Sequence, residues 1–143
     1  MGNRRLSREL AMQALFQIEM NQDHSREAIE SFCEHFRVPK NVKPFFLRLI
    51  EGVKEFQHKI DPLIERFSEN WKISRMSRVD RNVMRIAIYE LLYCDDIPPK
   101  VSINEAIDIG KKFGTEDSGA FINGILDSIR ISLEKGNRSG IDD

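Results

Sequence analysis

Cysteine, histidine and tryptophan are scarce: two, three and one in 143 residues. Cys33 and Cys94 form no CxxC pair and fall at no Cys/His ligand spacing, which excludes a zinc ribbon, a zinc finger and a thioredoxin-type redox pair. His24, His35 and His58 are scattered, so no metal site is expected. Each cysteine sits in an apolar run, as inert buried or half-buried thiols do. No apolar stretch approaches the roughly 18 residues a bilayer demands, and no signal peptide opens the chain, so it reads as cytoplasmic with no membrane partner. There is no glycine-rich phosphate loop and no alternation of strands with helices, so no cofactor is expected. A net charge of −1 argues against a generally basic nucleic-acid coat protein, and any polyanion site must arise from local segregation of charge.

What is present is helical periodicity. No segment alternates apolar and polar residues between hairpin turns, so the expected class is all-α. The pattern predicts about seven helices in a compact bundle of two small halves, near 1–70 and 71–135, making one domain over 1–135 with a disordered tail at 136–143. The first helix spans about 4–20, and Ser25 caps a second over 26–36. A third runs from Asn41 to about 56. Asp61-Pro62 reads as an N-cap with proline at the first helical position, restarting the chain as a short fourth helix. The stretch "WKISRMS" is the expected seam, with Trp71 as its anchor. Ser77 and Asp80 then form a capping box for "RNVMRIAIYELLYC", which is apolar on almost every side and reads as the central buried helix. A second capping box, Ser102 with Glu105, opens "NEAIDIGKKF". Gly114 ends that helix, and Thr115 caps the last one.

The opening "NRRLSREL" sets three arginines ahead of its single acid, Glu9, where a helix macrodipole already presents positive charge. At about 100° per residue, Leu10, Ala11, Ala14, Leu15 and Ile18 make a core stripe, while Arg5, Arg8, Met12 and Phe16 gather within about 80° on another side. Two readings stand. The helix is buried on two faces with its arginines snorkelling, or the arginines and the ring form a face for an anionic single strand, with guanidinium forks for phosphates and Phe16 to stack on a base.

In "KKFGTEDSGAFINGILD", Gly119 and Gly124 sit inside a helix at about 1 kcal/mol each relative to alanine, which suits close approach of another helix or of a ligand. On the central helix Asn82, Arg85, Tyr89 and Tyr93 form a polar strip, either a protein-docking edge or an edge facing the other half of the molecule. Asp95 and Asp96 are adjacent carboxylates in a turn with no partner implied, and no catalytic constellation emerges.

The segments "RRLSRELAMQALFQ", "VDRNVMRIAIYELLYCDDIPPKVSINEAIDIGKKFG" and "EDSGAFINGILD" together resemble the NusB family, in order and nearly end to end. The resemblance implies a non-enzymatic antitermination factor that binds single-stranded boxA-type RNA of ribosomal RNA operons. Its partners would be the ribosomal protein NusE and, with other Nus factors, the RNA polymerase elongation complex. Carried over by motif, the RNA-contacting residues are Arg4, Arg5, Arg8, Gln13, Phe16, Asp117 and Phe121. The ribosomal-protein surface falls around Asp80, Asn82, Arg85 and Tyr89. Phe16 stands where the family commonly has tyrosine, and Leu6 where it often has a further arginine, which implies weaker intrinsic RNA affinity. Two other readings are an accessory module of a ribosomal RNA methyltransferase, and a self-associating scaffold whose basic–aromatic face makes a homodimer.

Overall fold

The computed structural model describes residues 2–136, and all its regular elements are helical. They are α1 (Asn3–Asn21), α2 (Arg26–His35), α3 (Lys43–Phe67), α4 (Arg78–Tyr93), α5 (Pro99–Phe113) and α6 (Ser118–Glu134), with one 3₁₀ turn at Ile73–Arg75. The tail expected to be disordered lies, from residue 137 on, outside the described residues.

Six helices stand among the described residues where seven were expected. The difference is at Asp61-Pro62, which does not restart the chain but lies within a continuous 25-residue α3. Proline there removes one N–H, whose partner would be the carbonyl four residues back. Both Pro62 and His58 are exposed, so water can serve that carbonyl. Asp61 does not cap. Its carboxylate accepts from Arg85 Nε at 2.8 Å and Nη2 at 2.9 Å, tying α3 to α4.

The central helix is α4, which packs against α1, α3, α5 and α6. Asn82 through Glu90 are all buried. Met84 and Ile88 are fully enclosed, and each contributes about 1.5–3 kcal/mol relative to leaving it in water. Two helix pairs close tightly over glycine: a Cβ on Gly52 would lie 2.2 Å from the Tyr89 ring, and one on Gly110 would lie 2.4 Å from Ile122 Cδ1.

The caps divide. Ser25 Oγ accepts from Ala28 N at 3.2 Å and Ser77 Oγ from Asp80 N at 3.0 Å, as their sequence positions predict. Ser102 and Glu105 form no capping box, because α5 begins earlier, at Pro99, with Pro98 as its N-cap. A proline pair presets that start. Ser102 instead donates to Glu90 Oε1 at 2.7 Å in the interior. Thr115 is not the N-cap of α6 either. That position is Asp117, while Thr115 Oγ1 accepts from Asp117 N at 3.3 Å and supports the preceding turn. Trp71 is no interior anchor: it is 55% exposed.

Candidate nucleic-acid interface

The N-terminal arginines project from α1 toward carboxylates on three other segments. Arg8 Nε and Nη2 donate to Glu90 Oε2 at 2.8 Å and Oε1 at 2.9 Å, and Nη1 donates to Glu105 at 3.1 Å. The side chains of Arg8 and Glu90 are only 4% and 1% exposed, so this is an interior pair. Arg8 therefore does not stand as a free phosphate contact, which corrects its place in the arginine face. Arg5 donates to both oxygens of Glu105 and, at 2.9 Å, to Asp108. Its side chain keeps 38% of its surface in solvent. Arg4 is the most open: half exposed, 3.4 Å from Asp96 and 4.5 Å above the Phe45 ring. Arg4 and Arg5 line a cavity of about 620 Å³ with Asp96, Pro98, Val101 and Glu105.

The hydrogen bond from Arg5 holds the Glu105 carboxyl below the usual glutamate range, against a burial effect that works the other way. The cluster is thus not a net-positive patch. Its guanidinium groups are matched, and the dipole penalty of arginines in a first turn is offset by acids from α4, α5 and the loop between them.

Further along α1 the second face divides. Met12 is buried against α4 and α5, so burial on two sides describes the N-terminal half of the helix. Phe16 is only half-buried. It borders an open, mainly apolar groove of about 280 Å³ with Met12, Gln13, Gln17, Met20, Val79 and Phe113. Two amides, those of Gln13 and Gln17, are among its lining groups.

On α6, Asp117 is exposed at the N-cap and Phe121 is half-buried. The Trp71 ring stands edge-on to Phe121, 5.8 Å between centroids at 71°. A Cβ at Gly124 would meet nothing within 4 Å among the described residues, so this glycine serves no helix packing there. Gly119 approaches only the flexible stem of Lys111.

The polar strip of α4 faces inward. Asn82 and Arg85 are 1% and 4% exposed. Arg85 binds Asp61 and, at 3.0 Å, Glu19, while Asn82 Nδ2 donates to Glu19 at 3.2 Å and Arg81 adds a bond at 3.0 Å. Tyr89 is buried beside Phe56 and Tyr93. These three residues do not form an exposed docking edge. They join α4 to α1 and α3, the intramolecular alternative. Asp80 alone stays half-open at the head of α4, with its Oδ1 buried and lacking a hydrogen-bond partner among the described residues.

The model of the NusB family matches residues 5–130. The chain belongs to the NusB family. Among relatives, the "Transcription antitermination protein NusB" of Desulfatibacillum aliphaticivorans is 57% identical over 135 residues, covering 94% of each chain. That of Myxococcus xanthus is 51% identical over 140 residues, covering 94% of this chain and 99% of its own. The solved structure of T. maritima NusB shares 46% identity with a TM-score of 0.81 over 90% of each chain. A solved complex of NusB and NusE with double-stranded RNA shares the fold, with a TM-score of 0.83 at 24% identity over 92% of this chain and 98% of that one. Residues 5–130 of this NusB-family chain include every candidate position above except Arg4.

Several members of the site escaped the sequence reading. Glu90 carried a signal: an acid inside the apolar run "IAIYELL" must be met by a buried cation. Asp96 was read as unpartnered, yet it accepts from Arg48 at 3.2 Å as well as from Arg4. Gln17 and Phe113, which complete the Phe16 groove, carried no separate signal.

Proposed function

We propose that this chain is a transcription antitermination factor that binds single-stranded boxA-type RNA of ribosomal RNA operons together with the ribosomal protein NusE. The pair joins the RNA polymerase elongation complex with other Nus factors, in the cytoplasm and without catalysis. The observation that carries this reading is near full-length kinship with proteins named for antitermination, 57% identical over 94% of each chain.

The RNA-facing set is Arg4, Arg5, Gln13, Phe16, Asp117 and Phe121, with Arg8 acting from inside to fix the base of Arg5's partner Glu105. Rings at half-burial offer a face to a base without a duplex groove, which suits an unpaired strand. The half-exposed tips of Arg4 and Arg5 are the phosphate contacts that remain. Asp80, at the open head of α4, is the residue best placed to meet the ribosomal protein.

The test is binding of a boxA RNA and a scrambled RNA, by the chain alone and with NusE. Selective binding strengthened by NusE is expected, and no preference in either condition overturns the reading. An Arg4→Ala, Arg5→Ala double variant should flatten the log–log salt slope by about 1.4, at roughly 0.7 per phosphate on a single strand.

A further inference from the structure

The segment 71–78, "WKISRMSR", holds three cations and no acid. Its N-terminal end is Trp71, the chain's single tryptophan, which is 55% exposed and edge-on to Phe121. Its C-terminal end leads directly into Val79, a wall of the Phe16 groove. Lys72 and Arg75 are exposed, and no carboxylate pairs with either side chain among the described residues. Arg78 is exposed too, with Glu19 no closer than 3.8 Å. Lys72 and Arg75 thus differ from Arg5 and Arg8, whose charges are already matched, and from Arg78, which Glu19 pairs at the longer distance.

The backbone places the ring outward at a cost. Glu69 and Asn70 both take left-handed conformations, φ 59° and 66°, immediately before Trp71. Glu65 is committed locally: its Oε2 accepts from Ile73 N at 2.7 Å, and its backbone oxygen accepts from Asn70 N at the same distance. A large aromatic left in solvent beside unpaired cations is poorly explained by the core, which it does not enter.

We propose that the 71–78 segment is a further contact strip for single-stranded RNA, with Trp71 stacking on a base beside Phe121 and Lys72 and Arg75 neutralising phosphates. The inference rests on the RNA-binding reading above and adds a route between its two separate aromatic positions. The strip runs from the Phe121 corner to the Phe16 groove, so one strand can touch both. Unpaired positive charge beside an exposed ring is the chemistry a flexible polyanion with π-faces recognises. An acidic protein surface would satisfy the cations but would leave the indole face without a planar partner.

Because Trp71 is the only tryptophan, its emission reads the contact directly. Titration of the full chain with a single-stranded boxA-type oligonucleotide should quench that emission along the same isotherm as RNA binding. Trp71→Ala should weaken binding about 5- to 140-fold, and Trp71→Phe should recover most of it, since the stack needs a ring. A Lys72→Ala, Arg75→Ala variant should lower the salt slope by about 1.4. All three variants should melt as the parent does, because the side chains are exposed. If the parent binds RNA while its emission and these variants' affinities do not move, the strip is not an RNA contact and the Arg4–Phe16 reading stands alone. If Trp71→Ala leaves RNA affinity intact but weakens NusE binding, the surface is a protein contact and the inference falls. A parent that binds no RNA, with or without NusE, overturns both.

Discussion

Arg8 and Glu90 face one another across the α1–α4 contact as a two-bond pair, 2.8 and 2.9 Å, with neither side chain more than 4% exposed. Ser102 of α5 donates to the same carboxylate, so one acid joins three helices. A pair this deep is held by mutual satisfaction more than by net stability, because desolvating two charges costs most of what their attraction returns.

Removing one partner should therefore be far worse than removing both. Glu90→Ala leaves a buried guanidinium with only Glu105 near it, and should destabilise the fold by about 3–5 kcal/mol. Arg8→Met with Glu90→Leu together should recover most of that loss. Urea unfolding of Arg8→Met, Glu90→Leu, their double variant and the parent gives the coupling directly. A Glu90→Ala loss below about 1 kcal/mol would show that the pair is not what fixes α1 on α4.

Acid should weaken the fold through two other carboxylates. Burial works to raise Glu19, but hydrogen bonds and charges from Arg85 and Arg81 outweigh it and hold the group low. Glu105 is held low chiefly by its hydrogen bond from Arg5. A carboxyl whose folded value lies below its unfolded value of about 4.3 contributes stability that is fully present above that pH and is lost as pH falls through the folded value. Melting temperature should thus be level near neutrality and drop below about pH 4.5. Glu19→Gln and Glu105→Gln should each melt lower at neutral pH and lose less on acidification. Parallel curves for parent and variants would remove these groups from the acid transition.

The contrast between α3 and α4 shows what was legible in the chain. Helical period located every helix, because burial of a stripe repeats every few residues and leaves its mark in order. Ser25 and Ser77 were legible as caps because a cap is local. Asp61-Pro62 and Ser102–Glu105 have the same local form, yet tertiary partners claim their side chains: Asp61 goes to Arg85, Ser102 to Glu90 and Glu105 to Arg5 and Arg8. Charge matching was illegible for the same reason. Arg5 and Glu105 lie 100 positions apart, and no helical wheel of α1 alone contains the acid that meets its cations. Phe16 could be placed on a face, but the walls of its groove, Val79 and Phe113, come from two other helices.

Gly52 and Gly124 should answer the same substitution with opposite signs. Both lie inside helices, where alanine is favoured over glycine by about 1 kcal/mol. At Gly124 the new methyl group meets nothing within 4 Å, so that preference should appear nearly whole as a higher melting temperature. At Gly52 the methyl group would fall 2.2 Å from two atoms of the Tyr89 ring. That ring is a rigid plane, buried, and confined by Phe56 and Tyr93, so it has no short route aside. Overpacking of this kind costs about 1–3 kcal/mol, enough to cancel the helical gain and leave a net loss. Thermal melts of Gly52→Ala and Gly124→Ala side by side decide it. Equal shifts in one direction would mean that helix preference alone governs both sites, and that α3 and α4 do not meet through Tyr89.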